Sequence, residues 1–156
     1  MYRFTKKMAY AIEAVLHVAY HGADRPIQAR EITRQQSIPE RYLEQALQQL
    51  VRVGILKGVR GPRGGYRLGR PAERISVGEI AAVIRRMERR GQAGTEEPAS
   101  ELGRKVVIPM LEALDQEIME QLDRISIADL SAQAADRGLA RIEDGVKRAV
   151  KLAAAV

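Results

Sequence analysis

With 156 residues, 46% of them hydrophobic, the chain has material for one packed domain and an appendage, but hardly for two full domains. It contains no cysteine, which excludes a disulfide framework, a thiolate metal site and a cysteine nucleophile. The net charge of +6 is segregated: residues 1–86 hold 16 Lys and Arg against 7 Asp and Glu, whereas 87–156 hold 10 against 13, so the first part is expected to meet a polyanion.

Taken in chain order, Thr5 is placed to cap a first helix of about 16 residues that ends near Gly22. Met8, Ile12, Val15 and Ala19, with Ala11 and Leu16 beside them, give it an apolar face at helical spacing. Pro26 separates it from a short second helix, Ala29–Gln36, in which Ile32 is the main core residue. Ser37-Ile38-Pro39-Glu40 opens a third helix. Ser37 is the expected cap, Pro39 is tolerated in the first turn, and Glu40 complements the positive helix end. Leu43, Ala46, Leu47 and Leu50 form the buried stripe of that helix, and Gly54 ends it.

The run Val59-Arg60-Gly61-Pro62-Arg63-Gly64-Gly65-Tyr66-Arg67-Leu68 then reads as a hairpin, with strand 55–60, turn 61–65 and strand 66–68. Glycines lacking a Cβ let the backbone turn tightly and approach another surface, and Pro62 pre-sets one turn angle. Helix, short helix, longer helix and hairpin is the order of a winged helix-turn-helix, with the third helix as reader. The expected fold class is mainly α with a small β-hairpin wing: a winged domain over 1–86 and a long dimerisation helix after it.

Beyond the wing a fourth helix begins at Ser76 or Gly78, with Val77, Ile80, Ala81 and Ile84 packing back onto the domain. Residues 88–103 are polar and carry glycine and proline, so the segment 87–104 is expected to be a loop. The next helix runs to about Asp123, with Pro109 either in its first turn or kinking it. Its apolar positions Val107, Leu111, Leu114, Ile118, Leu122 and Ile125 are spaced 4, 3, 4, 4 and 3. So small a domain has no core left for that stripe to cover, which makes it the expected seam of a homodimer. A short helix over 127–135 closes the unit 105–137. The tail 138–156 has a weak helical pattern in Leu139, Ile142, Val146 and Val150, interrupted by Gly145.

These residues point to DNA. Between 57 and 74 there are six basic residues and one acidic, and Arg60, Arg63 and Arg67 project from a hairpin with little bulk beside them. In the first turns of the reader helix, Arg41 suits guanine and Glu44 can accept from cytosine N4. Gln45 suits adenine, and Tyr42 can bond a phosphate. No tryptophan, one phenylalanine and five tyrosines make a poor platform for stacking single-stranded bases, so duplex DNA is the expected partner. Glu13, His17 and His21 share a helix face at a spacing that can hold a metal. A polar face on an amphipathic helix accounts for them equally, and no metal is expected. No nucleophile triad, P-loop or paired acid and base appears, so an enzyme is not expected. The N-terminus shows no secretory leader and no apolar run spans a bilayer, so the expected location is the cytoplasm, with no membrane partner.

Three runs, Tyr42-Leu43-Glu44-Gln45, the wing motif from Val59 to Leu68, and Ile75-Ser76-Val77-Gly78-Glu79-Ile80, together resemble the bacterial Rrf-two (Rrf2) family over about residues 1–135. The resemblance implies a homodimeric transcription regulator, usually a repressor, whose winged domains read a palindromic operator in double-stranded DNA. It also implies Arg60 as the side chain that enters the minor groove. Cluster-binding members carry three cysteines, separated by five residues, and a histidine three positions after the last. Ungapped placement between the Ser-Val-Gly-Glu motif and Ser126-Ile127-Ala128-Asp129-Leu130 puts Ala93, Ala99, Lys105 and Ile108 at those positions, and none can ligate iron. The expected cofactor is therefore none, and the signal an unknown small-molecule or protein effector. Two other readings stay open: a protein-interaction module whose long helix recruits a partner, and a basic protein that coats DNA without sequence choice.

Overall fold

The computed structural model describes residues 4–36, 38–91, 100–141 and 154. Among the described residues, six α-helices and one hairpin come in order: α1 (Lys6–His21), α2 (Ala29–Gln36), α3 (Glu40–Arg52), β1 (Leu56–Val59), β2 (Gly65–Leu68), α4 (Val77–Gly91), α5 (Ile108–Asp123) and α6 (Ile127–Asp136). This is a mainly helical winged helix-turn-helix with a two-stranded antiparallel wing, as the sequence implies.

Thr5 caps α1 by accepting from the Met8 N–H at 3.2 Å. The start of α3 differs from expectation. Pro39 occupies the cap position without a side-chain bond, and Ser37 lies outside the described residues. Leu43, Leu47 and Leu50 of α3 meet Val15 of α1, Ile32 of α2 and Ile80 and Ile84 of α4 in one core, each at most 1% exposed. Burying side chains of this size contributes about 1.5–3 kcal/mol apiece. That is what holds α3 in place with Arg41, Glu44, Gln45 and Gln48 exposed on its outer face.

The hairpin pairs Leu56 with Leu68 and Val59 with Gly65, a residue shorter at each end of β1 than expected. Ile27, between Pro26 and Gln28, adds a third pairing: its N–H donates to the Tyr66 carbonyl at 2.9 Å and Tyr66 returns the bond at 2.8 Å. One residue of pairing is too short for any periodicity to announce it. Gly65 makes the approach possible, because a Cβ there would sit 2.4 Å from the Ile27 carbonyl oxygen.

A second small bridge ties α5 and α6 to the winged domain. Val77 donates to the Ile125 carbonyl at 2.8 Å and Ile127 to that of Ile75 at 2.9 Å. Gly78 lets α4 touch the end of α5, since a Cβ would fall 1.9 Å from Asp123 Oδ1. Ser76 and Glu79 cap α4 reciprocally, each side chain accepting from the other's backbone N–H at 3.0 Å. Arg85 and Asp115, about one-sixth exposed each, pair at 2.5 Å between α4 and α5.

Two expected boundaries move. α4 continues past Arg86 to Gly91, so one unbroken helix crosses the expected domain boundary at 86–87. The segment expected as a loop to residue 104 is already helical at Glu101 and passes into a π-turn, Gly103–Val107, where Ile108 N–H reaches back to the Gly103 carbonyl. Pro109 stands in the first turn of α5. Having no N–H to give the preceding turn, it favours a widened turn before it. Residues 92–99, with the loop positions Ala93 and Ala99, lie outside the described residues, as does most of the tail helix expected after 138.

Candidate nucleic-acid interface

The helical spacing of Leu43, Ala46, Leu47 and Leu50 turns the opposite face of α3 outward. Arg41, Glu44 and Gln45 are exposed on it, together with Gln48 one turn further on, which the sequence reading did not single out. Glu44 is near enough to the wing to act on Tyr66, whose hydroxyl pKa is raised by burial first and by the Glu44 carboxylate second. Glu44, on the exposed face of α3, thus stands beside Tyr66 of β2, and α3 packs on β1.

At the wing tip Arg60 and Arg63 are exposed, and among the described residues neither has an ion-pair partner. Arg67 behaves differently. It is half-buried and its guanidinium donates to the Asp24 carbonyl at 3.1 Å, so it fastens the wing to the turn after α1. The structure brings Arg41, Glu44, Gln45, Arg60 and Arg63 to the surface and puts Arg67 at its base.

Tyr42 is a correction. A phosphate contact was expected of its hydroxyl, but that oxygen is buried with no hydrogen-bond partner among the described residues. Burial first, and then Glu88 of α4, push its pKa up to about 12. The ring packs on the core, and Lys7 of α1 lies over it at 5.0 Å from the centroid. Lys7, exposed beside α3, is a cation the sequence reading missed. It was visible there only as part of the Lys6-Lys7 pair.

The expected dimer seam divides. Val107, Leu114 and Ile125 are 46%, 48% and 36% exposed, and Leu111 and Ile118 are half-buried. Leu122 instead packs with Met119 against the winged core, because the Ser76–Ser126 bridge draws the end of α5 inward. Leu102, Val106 and Met110, not in the expected stripe, extend the exposed apolar set at 74%, 59% and 52%. No residue of α5 is fully buried.

An iron–sulfur cluster does not fit the donors at the four family positions. Lys105 is ion-paired with Glu101, Ile108 offers only hydrocarbon, and Ala93 and Ala99 have methyl side chains. On α1, the rings of His17 and His21 lie 4.5 Å apart. Among the described residues, however, no three His, Asp or Glu groups converge as metal ligands. Nor is any helix of the described residues long and apolar enough to cross a membrane.

The family model of Rrf2, described as "Iron-dependent Transcriptional regulator", matches residues 4–133. The HTH-type transcriptional regulator IscR of Yersinia pseudotuberculosis is 33% identical over 128 residues, covering 82% of this chain and 78% of that protein. IscR of Photobacterium profundum is 44% identical over 82 residues, 53% of this chain and 48% of that protein. The chain thus spans about half the length of several such regulators it matches. Among solved structures, T. potens IscR has a TM-score of 0.69 at 29% identity, covering 90% of this chain and 93% of that one. CymR of B. subtilis has a TM-score of 0.62 at 26% identity, with 85% and 98% covered.

Proposed function

Because the chain belongs to the Rrf2 family of transcriptional regulators, we propose that it is a cytoplasmic, sequence-specific DNA-binding regulator that acts as a homodimer and, for preference, as a repressor. The observation that carries this is the joint surface of α3 and the wing. Arg41, Glu44 and Gln45 offer donors and an acceptor to base edges, and Arg60 and Arg63 offer unpaired guanidiniums to a phosphate-walled groove. Arg60, followed by Gly61, is assigned to the minor groove.

The apolar face of α5 supports the homodimer. It is joined to the winged domain through the Ser76–Ser126 bridge and the Arg85–Asp115 pair, so the seam would fix the spacing of two wings on a palindromic operator. Without thiolates in this chain, the regulator works without an iron–sulfur cluster, and an effector molecule or a protein supplies the signal. Neither a catalytic constellation nor the family points to an enzyme.

Salt titration with competitor DNA tests the reading against a coating protein. A specific dimer keeps a preference of about 10³-fold or more for its site, while a coating protein shows only the steep salt slope. A purified protein with stoichiometric iron and sulfide that resist chelation would overturn the cluster-free part.

A further inference from the structure

Two side chains show what stands on either side of α3. At about 3.6 residues per turn, Glu44 and Tyr42 fall on opposite edges of the outward face that carries Arg41, Gln45 and Gln48. Glu44 is the edge beside the wing, where its carboxylate acts on Tyr66 of β2. Tyr42 is the other edge, and the first turn of α1 stands there, with the Lys7 ammonium 5.0 Å from the centre of the Tyr42 ring. The outward face of α3 thus lies between two elements that carry exposed cations, the wing with Arg60 and Arg63 and α1 with Lys7.

Lys7 is exposed and forms no ion pair among the described residues. Glu88 of α4 acts on the Tyr42 hydroxyl but makes no ion pair with Lys7. The ring attracts the ammonium through its quadrupole, which holds a flexible lysine stem at this edge without neutralising its charge. A lysine held so is still a full positive charge with three donors for an oxyanion.

Duplex DNA presents a matching target. A helix lying in the major groove, about 12 Å wide, has a phosphate strand along each flank. The wing meets one of these strands. The other passes the Tyr42 edge, where the Tyr42 hydroxyl is buried and the exposed cation is Lys7.

We propose that Lys7 binds a backbone phosphate of the strand on the Tyr42 side of α3, across the major groove from the strand met by the wing. The contact is to the phosphodiester alone, so it adds affinity and fixes the register of α3 but carries no base preference. This inference rests on the DNA-binding reading of α3 and the wing.

The test uses the full-length protein and a duplex selected for binding from a random pool. Affinity is measured against salt, and then on a series of the same duplex in which one phosphate at a time is an uncharged methylphosphonate. Lys7→Gln is expected to lower the slope of log affinity on log salt by about 1 per bound protomer, and to weaken selected and unrelated duplexes by the same factor. Lys7→Arg, which keeps the charge and the ring contact, is expected to keep the wild-type slope. One phosphate per half-site should matter to the wild type and to Arg63→Gln but not to Lys7→Gln. It should lie across the major groove from any phosphate to which Arg63→Gln is indifferent. An unchanged slope, or a Lys7→Gln protein sensitive at every phosphate the wild type senses, would overturn the proposal and leave the DNA-binding reading standing. A wild type with no site preference would overturn both.

Discussion

Replacing Leu114 and Ile118 with aspartate tests whether α5 is a seam. Leu114 is 48% exposed, so roughly half of its burial energy is ungained in one protomer, about 1 kcal/mol of the ~1.5–3 available to a leucine. Both protomers contribute, and Ile118 on the same face adds a comparable amount. Four carboxylates would then face a dry surface, at a further cost of several kcal/mol. Together these should raise the dimer dissociation constant by at least about 10³-fold, equivalent to ~4 kcal/mol. Sedimentation at micromolar concentration is the assay, with helicity by circular dichroism as the control for folding. A variant that stays dimeric with wild-type affinity would refute the assignment and move the seam off this face of α5.

Gly65→Ala should cost ~2–4 kcal/mol, because its Cβ would lie 2.4 Å from the Ile27 carbonyl oxygen and open both bonds of the Ile27–Tyr66 bridge. Thermal unfolding should show a Tm lower by roughly 5–15 °C, and an unchanged Tm would contradict the close approach. Stability should also fall with acidification: His17 titrates near 4 in the fold against an ordinary 6.5, so the unfolded chain takes the proton first. The effect is absent above about pH 6.5 and reaches ~3 kcal/mol near pH 4, with the lowered pKa of His21 adding in the same direction. His17→Leu should flatten that part of the urea-unfolding profile, and a slope as steep as wild type would remove His17 as its source. Glu44→Ala should leave non-specific DNA affinity unchanged or higher while relaxing base preference at one position per half-site by about 1–3 kcal/mol. Full discrimination across a mutated operator series would exclude the base-reading role.

The helices and the wing were legible because their signals are local: Thr5 before a periodic face, the Leu43–Leu50 spacing, and glycines clustered around Pro62. The features that sequence did not disclose are long-range. Ile27 meets Tyr66, and Ser76 meets Ser126 across 50 positions, through single-residue bridges that leave no repeat to detect. The same bridge explains why Leu122 left the expected seam. On the candidate interface, Arg60 and Arg63 stand where a polar hairpin tip must place them, in water. Tyr42 and Arg67 went elsewhere because an amphipathic side chain at the edge of a core can serve either side. Only its neighbours, Lys7 and Glu88 for Tyr42 and Asp24 for Arg67, decide which.

The most direct test is a hydroxyl-radical footprint of the wild-type protein on DNA selected for binding from a random pool, read beside Arg60→Ala. A wing-and-helix dimer predicts symmetric protection of two inverted half-sites whose centres lie a whole number of helical turns apart, about 10–10.5 base pairs each. Arg60→Ala should bind the same site ~1–3 kcal/mol more weakly and with a shallower salt dependence. A selection that yields no consensus, or a single unpaired site whose affinity is indifferent to Arg60, would contradict the reading of this surface as the operator-binding face of a symmetric regulator.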